Sequence, residues 1–423
     1  MKRGSALGLA VAGAATGAGV WWGMRDAQSP LYPGLVMPFL TSRFLDPEVS
    51  HRLAVKSAAL GLTPVDEWKD DPRLGVTVWG RHFEHPLGLA AGFDKNAEAM
   101  EGMLGMGFAF VEVGSVCLKP QPGNPKPRVF RLFDEKAIIN RYGFNSDGVL
   151  AVAERLDQFR ERQKRVIETA ADSAKKRGLE KGVVGVNFGK NKDRVMGGTD
   201  GEGLGDDYVE LMQRLSPYAD YLVINISSPN TPNLRLLQSG SELQKILEQV
   251  MAEKKRAEAA SKSATAYPPV LIKIAPDLTK AQAEDIAAAA LKYKVDGIIV
   301  SNTTVSRPLR VHNEQEETIA KEAGGLSGRP LLEMSTQLLR DMYRLTEGRI
   351  PLIGVGGISS GKDAYDKIKA GASLVQLYTG LVYEGPGLVG RVKKELVELL
   401  DRDGFRTIEE AVGHDHHKEV ETK

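Results

Sequence analysis

Amide side chains follow a series of apolar segments along this chain. Six of them stand at or near segment ends or in the loops nearby: Asn140, Asn145, Asn187, Asn225, Asn230 and Asn302. An amide both donates and accepts hydrogen bonds, so a ring of amides suits a small heterocycle that carries imide and carboxylate groups. A single loop asparagine is commonly explained by turn chemistry, whereas six at such positions indicate a binding site.

Two lysines extend this set towards charged ligands. Lys273 interrupts the apolar segment VLIKIAPD, and a buried lysine requires an anionic or hydrogen-bond-accepting partner. A flavin that becomes anionic on reduction is one such partner, and a structural salt bridge is the alternative. Lys95, beside Asp94 in AAGFDKN, is predicted to hold a substrate carboxylate or the cofactor.

Ser228, in the segment NISSPNT, is the candidate proton acceptor. Neither a Ser-His-Asp arrangement nor a G-x-S-x-G motif surrounds it, so nucleophilic acyl chemistry is not indicated. A free serine hydroxyl is a poor base, and Ser228 therefore needs a proton relay.

Glycines near the end of the chain predict an anion site. Gly356 and Gly357 lie in GVGGISSG, and Thr379 lies in YTG. Backbone N–H groups at such positions cradle phosphates in barrels, and the threonine adds a hydroxyl. Tight turns also need glycine, and Asp363 has the alternative role of an acid at a helix N-terminus.

Eight apolar segments must position these side chains. They read PLGLAAGFDK (86–95), AFVEVGS (109–115), VVGVNF (183–188), YLVINISSPN (221–230), VLIKIAPD (270–277), GIIVSNTT (297–304), PLIGVGG (351–357) and LVQLYTG (374–380). Runs this rich in Val, Ile and Leu indicate strands buried on both faces, and helix-forming stretches separate most of them. The pattern predicts an α/β fold, a (β/α)8 TIM barrel with its active site at the C-terminal strand ends.

Composition excludes several other functions. The formal net charge is only +1 and no RNA- or DNA-reading motif is present, so nucleic-acid binding is not expected. Cys117 is the single cysteine, which excludes an intramolecular disulfide, and a buried structural thiol is its expected role. No H-E-x-x-H or Cys/His zinc spacing occurs, so no metal site is predicted.

The N-terminal segment has the character of a membrane span. No charged residue lies between Arg3 and Arg25. A helix of this length crosses a bilayer, and Trp21 and Trp22 fall where an interfacial aromatic belt is expected. The prediction is a membrane anchor or targeting segment over residues 1–28, and a cleaved secretory signal is the alternative.

Residues 29–65 are predicted to form an amphipathic helical hairpin. Its first helix must kink or shorten at Pro38. Its second helix begins with Asp46 as N-cap and Pro47 at the first helical position. The hairpin either plugs the barrel or lies at a lipid surface, where it forms a route from the bilayer to the active site.

The remaining boundaries place the barrel over residues 66–405 and a C-terminal tail over residues 406–423. Two long, charged, helix-favouring stretches, residues 151–181 and 242–266, lie within the barrel region. The second ends in a Lys/Ala/Ser-rich patch that is typical of a solvated surface.

Several motifs resemble those of the class 2 dihydroorotate dehydrogenases. They are AAGFDK, NRYGFN (140–145), NISSPNT, SNTTVSRP, GGLSGRPL and GVGGISSG. The resemblance runs from about residue 31 to about residue 414. It implies oxidation of (S)-dihydroorotate to orotate in pyrimidine biosynthesis, with FMN as cofactor and ubiquinone as electron acceptor.

Carried over residue by residue, the resemblance implies three sets of contacts. The FMN set is Ala91, Gly92, Phe93, Asp94, Lys95, Ser115, Asn187, Asn225, Lys273, Ser301, Gly328, Gly357, Tyr378 and Thr379. The substrate set is Lys95, Asn140, Arg141, Tyr142, Gly143, Phe144, Asn145, Asn225, Asn230, Asn302 and Thr303. The quinone set is His51, Arg131 and Tyr378.

The resemblance also implies chemical roles. Ser228 matches the base that removes the C5 proton while the C6 hydride passes to flavin N5. Thr231, with an ordered water, is the implied proton relay, and Phe144 shields the base. Soluble class 1 relatives have cysteine in place of Ser228, and Cys117 does not replace it because it lies beyond the second strand. The chain departs from the family at Ser301, where threonine is common, and in a first hairpin helix one residue longer.

Mitochondrial members of the resembled class carry a transmembrane span. The resemblance therefore implies single-pass insertion in the mitochondrial inner membrane, with the barrel on its outer side. The expected partners are dihydroorotate and orotate, ubiquinone and membrane lipid.

Two other readings of the sequence remain open at this stage. One is an enzyme that reduces the ring with fumarate or a nicotinamide as redox partner; the missing cysteine base and missing nicotinamide motif argue against it. The other is a membrane-tethered barrel that binds flavin or partners without turnover, and Lys95, Ser228 and the amide ring argue against that.

Overall fold

Eight parallel strands close into a barrel. The computed structural model describes residues 23–42, 44–168, 174–193, 205–231, 234–238, 240–260 and 266–416. The barrel strands are β1 Leu87–Leu89, β2 Phe110–Val116, β3 Val183–Phe188, β4 Tyr221–Asn225, β5 Val270–Ile274, β6 Gly297–Val300, β7 Leu352–Val355 and β8 Ala372–Leu377. They pair in chain order, and β8 pairs with β1. Each strand falls on one of the eight apolar segments, so the predicted barrel is confirmed.

Helices connect the barrel strands and cover the outside of the barrel. Their bounds are Met100–Gly105, Val149–Ile167, Ala174–Lys181, Asp206–Leu215, Gly240–Ala260, Lys280–Tyr293, Glu314–Ala320, Leu332–Leu345, Gly361–Lys369, Thr379–Glu384, Leu388–Asp403 and Ile408–Ala411. Short 3₁₀ turns cover Pro72–Leu74, Leu234–Gln238 and Arg329–Leu331. The long helix-favouring stretches are thus helical over most of their described length.

Aromatic rings close the N-terminal end of the barrel. Strands Val76–Val78 and Arg81–Phe83 form an antiparallel hairpin there. The ring of Phe83 meets that of Phe110 edge to face, with centroids 5.5 Å apart. A side chain at Gly88 in β1 would collide with the Phe110 ring, which explains a glycine in the middle of a buried strand.

A second sheet stands beside the C-terminal end of the barrel. Its strands Val129–Leu132, Ala137–Asn140 and Gly325–Gly328 pair antiparallel, with the middle of the three in chain order also in the middle of the sheet. This sheet carries Arg131 and Asn140, and the backbone of Thr304, in the loop after β6, bridges to its edge at Leu326. The sheet thereby adds side chains to the site that the barrel loops alone do not supply.

The N-terminal hairpin, here residues 32–59, consists of a π-helix Tyr32–Val36, an α-helix Met37–Leu40 and an α-helix Pro47–Ala59. The Asp46 side chain accepts a hydrogen bond from the backbone N–H of Val49 at 2.9 Å, as the predicted N-cap requires. Near Pro38 the π-helix gives way to the short α-helix Met37–Leu40, and Pro38 lies within the first two positions of that helix. A missing N–H costs nothing at that position.

The structure describes parts of the two terminal segments that were predicted as membrane anchor and tail. The membrane segment predicted at residues 1–28 lies outside the described residues except for its last six. Among the residues that the structure describes, no helix is both long and apolar enough to cross a membrane. At the other end, Ile408 and Ala411 are fully buried, so the segment predicted as a tail begins with a helix that packs on the barrel.

Candidate active site

A cavity of about 380 Å³ lies at the C-terminal ends of the barrel strands. Lys95, Ser228 and Lys273 line its inner part, and Leu40 and Leu53 of the N-terminal hairpin line the other end. The sequence-predicted substrate and quinone residues therefore share one continuous space.

Most of the predicted site residues line this cavity. They are Ala91, Gly92, Phe93, Lys95, Ser115, Asn140, Tyr142, Gly143, Phe144, Asn145, Asn225, Ser228, Asn230, Lys273, Ser301, Asn302, Thr303, Gly328, Gly357, Tyr378 and Thr379. The predicted quinone residues His51 and Arg131 line it as well.

Four predicted residues stand outside the lining: Asp94, Arg141, Asn187 and Thr231. The Asp94 carboxylate is buried and accepts backbone hydrogen bonds from Glu98 and Ala99, so it holds its own loop. Burial raises the pKa of Asp94 to about 6. The Arg141 guanidinium turns instead to Glu322, with Nη1 2.5 Å from Oε2. Both residues belong to motifs that reach the cavity, but neither residue lines it.

Asn187 supports the lining from behind. Its Oδ1 accepts hydrogen bonds from Ser115 Oγ at 2.5 Å and from Asn225 Nδ2 at 3.2 Å. Asn225 Nδ2 also donates to Ser115 Oγ at 2.9 Å. The three residues come from the ends of β2, β3 and β4, so barrel closure is what brings them together.

A second group of polar side chains continues the ring. Asn302 Nδ2 donates to Ser227 Oγ at 2.9 Å, and Ser227 Oγ donates to Asn225 Oδ1 at 3.0 Å. Asn230 Nδ2 donates to the backbone oxygen of Asn140 at 3.1 Å, which joins the Ser228 loop to the second sheet. Within the predicted amide ring, Asn187, Asn225 and Asn302 therefore form one bonded network, and Asn140 and Asn230 form a separate pair.

Ser228 lies in the cavity wall, and two other predicted site residues carry buried polar atoms that have no partner among the described residues. Its Oγ accepts a hydrogen bond from the backbone N–H of Asn230 at 3.3 Å. Thr231 Oγ1 and Asn145 Oδ1 are buried, and neither has a hydrogen-bond partner among the described residues. Buried polar atoms normally bond to protein, water or ligand, so these two mark places for a ligand or an ordered water.

The Lys95 ammonium is buried at the same site. Its Nζ lies 4.2 Å from the centre of the Tyr142 ring. Burial, followed by the nearby charge of Arg128, lowers the pKa of Lys95 to about 8. A buried cation of this kind favours an anionic ligand, because the ligand's charge would compensate the loss of hydration.

Lys273 has a partner that the sequence analysis missed. Its Nζ lies 3.4 Å from Oε1 of Glu112, and both side chains are buried. The salt bridge named as the alternative for Lys273 is therefore present, although Lys273 also lines the cavity. The available signal was a charged residue inside the apolar segment AFVEVGS, the same signal that singled out Lys273.

Hydrogen bonds from neighbouring side chains support the glycine turn after β7. Gly356 and Gly357 have φ angles of 116° and 80°, in the region that favours glycine. Behind the turn, the fully buried Lys367 donates to Ser335 Oγ at 2.7 Å, and Ser335 Oγ donates to the Gly356 carbonyl at 3.2 Å. Asp363 accepts from the Ser359 backbone at 2.9 Å in the first helical turn, as the alternative role for Asp363 predicted.

His51 forms the contact between the hairpin and the cavity. Its Nε2 donates to the Phe93 carbonyl at 2.7 Å, which leaves Nδ1 to accept from the Tyr142 hydroxyl at 3.0 Å. Burial, followed by the charge of Lys95, lowers the pKa of His51 to about 4. The imidazole is therefore neutral at physiological pH, in a single tautomer.

Arg131 in the second sheet and Arg128, just before the first strand of that sheet, attach the hairpin. Arg131 donates from its guanidinium to the backbone carbonyls of Leu40, Ser42 and Leu45. Arg128 forms a bidentate pair with Glu48, at 2.8 and 3.0 Å, and both side chains are buried. Burial alone would raise the pKa of Glu48, but the hydrogen bonds and charges of Arg128 and Lys126 lower it.

Neither a metal cluster nor a reactive thiol stands out in the described structure. Within the described residues, no group of three His, Cys, Asp or Glu side chains is placed to hold a metal ion. Cys117 is buried, and burial raises the pKa of its thiol to about 12, as expected for a structural cysteine.

Comparisons with known proteins agree on one family. A family model described as dihydroorotate dehydrogenase matches residues 73–400. The mitochondrial dihydroorotate dehydrogenase (quinone) of Arabidopsis thaliana is 51% identical, over 98% of this chain and 88% of its own length. The Mus musculus protein of the same name is 50% identical, over 92% of this chain and 91% of its own. The crystal structure of DHODH from Eimeria tenella in complex with ferulenol has a TM-score of 0.80 and 43% identity, and it covers 90% of this chain and 99% of that chain.

Proposed function

The chain belongs to the dihydroorotate dehydrogenase family, and from that premise we propose that it oxidises (S)-dihydroorotate to orotate with ubiquinone as electron acceptor, in pyrimidine biosynthesis. One observation carries the proposal: a single cavity joins the amide ring and Ser228 to the apolar inner face of the N-terminal hairpin. A hydrophilic substrate and a lipophilic oxidant thus reach the same space from different sides.

The residues present fit FMN as the cofactor. The cavity wall supplies the Lys273 ammonium, the Asn225 amide and the glycine turn at Gly356 and Gly357, which suit the flavin ring and its phosphate. The buried Asn145 Oδ1, which has no partner among the described residues, supports this fit because a bound group could supply one. FMN, when bound, would take the C6 hydride of the substrate at N5 and pass the electrons to the quinone.

The amide ring and Lys95 orient the substrate in this proposal. The Lys95 ammonium pairs with the substrate carboxylate, and this charge raises its pKa from about 8 and keeps it protonated. Asn145, Asn225 and Asn302 hydrogen-bond the imide edge of the ring. Because Asn225 and Asn302 are also bonded to one another and to the backbone, these two amides hold their orientation without a large entropic cost on binding.

Ser228 accepts the C5 proton. Its hydroxyl faces the cavity, and the N–H of Asn230 fixes the oxygen atom in place. In the same step the hydroxyl proton of Ser228 passes towards Thr231 Oγ1, whose buried and unpartnered hydroxyl is suited to an ordered water. Positioned proton transfer of this kind contributes about 10² to 10⁴ in rate, so loss of Ser228 should be severe.

The hairpin provides the quinone route. His51, Arg131 and Tyr378 surround the passage between the flavin site and the hairpin's apolar side chains. The outer hairpin surface exposes Leu35, Phe39 and Phe44, and such a patch suits a lipid interface. Together with the uncharged segment before Arg25, this supports single-pass anchoring in the mitochondrial inner membrane.

The test is product formation by the purified full-length protein in detergent. With dihydroorotate and a soluble ubiquinone analogue, it should form orotate and quinol in equal amounts. Orotate formed only with fumarate or a nicotinamide would favour the alternative redox partner. A folded, flavin-loaded protein that forms no orotate with any acceptor would overturn the proposal.

A further inference from the structure

Two opposite charges meet inside the barrel, beneath the cavity. Lys273 on β5 lines the cavity and Glu112 on β2 does not, yet Nζ and Oε1 are 3.4 Å apart. The side-chain exposures are 6% for Lys273 and 0% for Glu112, so bulk water does not screen the pair.

Glu112 collects hydrogen bonds from several other strands. Asn187 Nδ2 donates to Oε1 at 2.9 Å, and Gln376 Nε2 donates to Oε2 at 2.7 Å. The Tyr221 hydroxyl stands 3.4 Å from Oε2. A buried carboxylate is tolerated only with such partners.

The carboxylate also decides which way Asn187 faces. Because Nδ2 of Asn187 is directed to Glu112, Oδ1 is left to accept from Ser115 and Asn225. Glu112 therefore touches two members of the predicted FMN set, Lys273 and Asn187, without reaching the cavity itself.

We propose that Glu112 is a positioning residue for the flavin: it fixes the Lys273 ammonium and the Asn187 amide, and it sets the flavin's reduction potential by partly neutralising Lys273. The inference rests on the proposed function, because it requires FMN in the cavity. Charge near the flavin ring tunes the electronic properties of the ring. A cation that is paired with a carboxylate stabilises negative charge on the ring less than an unpaired cation does.

Glu112→Gln tests this without changing the shape of the side chain. The new amide oxygen still accepts from Asn187. The new amide nitrogen needs an acceptor from Gln376, whose buried Oε1 has no partner among the described residues and becomes available if that amide turns over. The variant should therefore fold and keep its flavin.

The readout is independent of turnover. Sulfite addition to a flavin leaves negative charge on the ring, so its dissociation constant reports the local positive charge. Glu112→Gln should lower that constant about tenfold and raise the two-electron potential correspondingly, by about 30 mV. Gln376→Met is the matched control, because it removes another hydrogen bond from the same carboxylate without a change of charge. It should change the sulfite dissociation constant by less than about twofold and the potential by less than about 9 mV.

Action through Lys273 is tested by a double-mutant cycle. In a Lys273→Met background, Glu112→Gln should change sulfite affinity by less than about twofold, since no cation is left to neutralise. An equal shift in both backgrounds would mean that Glu112 acts directly on the flavin, and it would overturn the positioning role.

The remaining outcomes are decisive as well. If the parent protein binds FMN and responds to dihydroorotate but Glu112→Gln leaves potential and sulfite affinity unchanged, Glu112 is purely structural and the inference is wrong. If the parent binds no FMN, the proposed function itself is wrong. Should Glu112→Gln not fold, Glu112→Asp retains the charge but draws it back from Lys273. It should shift both readouts in the same direction by a smaller factor, and no shift would overturn the inference.

Discussion

The barrel end and the N-terminal hairpin hold their functional side chains in different ways. At the barrel end, Asn187, Asn225 and Ser115 bond to one another on strands that are buried throughout. The hairpin is fastened by long arginine side chains and by His51, and its outer surface leaves Phe39 65% exposed. The barrel end thus fixes geometry for chemistry, whereas the hairpin admits and orients a lipophilic reactant. Changes in one region should affect one half-reaction and spare the other.

The largest effect is expected from Ser228→Ala, which alters only the barrel end. Reduction of bound flavin by dihydroorotate at neutral pH should slow by about 10³, because no positioned base remains at C5. Reoxidation of chemically reduced enzyme by quinone should stay within twofold. Stopped-flow absorbance separates the two rates. Ser228→Cys serves as the control, since a thiol at the same place restores a proton acceptor. Parental flavin reduction in Ser228→Ala would refute the assignment of the base.

The lowered pKa of His51 should make the stability of the hairpin's attachment depend on pH. Its folded-state pKa of about 4 lies below the ordinary value of 6.5, so the unfolded chain binds a proton more readily. The resulting stability is complete above pH 6.5 and is lost progressively as the pH falls towards 4. Between pH 7 and pH 5 the contribution to the free energy of unfolding falls by about 2 kcal/mol. In His51→Gln, urea denaturation should show a correspondingly smaller loss; an identical loss would contradict the buried neutral imidazole.

Glu48→Gln should weaken the hairpin's attachment and leave the hydrogen bonds of the barrel end intact. It removes the charge that balances the buried Arg128 guanidinium, which is costly for a buried pair. We expect quinone reoxidation to slow about tenfold and flavin reduction by substrate to change less than twofold. The matched control is Lys126→Met, because the exposed Lys126 contacts the same carboxylate from solvent at 3.4 Å and such pairs contribute little. Equal losses in both half-reactions would contradict the separation of the two regions.

The smallest effect is expected at the hairpin's outer surface. Phe39→Ser, in full-length protein reconstituted in vesicles, should raise the KM for long-chain ubiquinone about threefold, because it removes apolar area at the lipid interface. The KM for a soluble short-chain quinone should not change. Leu150→Ser alters an equally exposed side chain on the barrel helix Val149–Ile167 and should affect neither constant. A rise for both quinones would mean that Phe39 acts on the cavity itself.

The same contrast explains which features of the structure could be predicted from the sequence alone. Buried parallel strands require continuous apolar segments, so all eight were visible, and Asp46 with Pro47 marked a helix start that the structure has. Side-chain direction was not visible. Asp94 turns into its own loop and Arg141 turns to Glu322, although both belong to the motifs that define the site.

Glu112 escaped prediction for a related reason. A charged residue in a buried strand indicates that a partner exists. Only closure of the barrel shows that the partner of Glu112 is Lys273, 161 residues away. The arginine contacts to hairpin carbonyls likewise depend on long-range packing. Local patterns therefore predicted the barrel end well and the hairpin's attachment poorly.

The most direct test of the whole account is an anaerobic double-mixing experiment on the full-length, detergent-solubilised protein. Dihydroorotate is mixed first, a soluble ubiquinone second, and flavin absorbance is followed throughout in the parent, Ser228→Ala and Glu48→Gln proteins. We expect rapid bleaching and recovery in the parent, loss of bleaching in Ser228→Ala, and normal bleaching with slow recovery in Glu48→Gln. If Glu48→Gln slowed bleaching as much as it slowed recovery, the separation of the two half-reactions between barrel and hairpin would be contradicted.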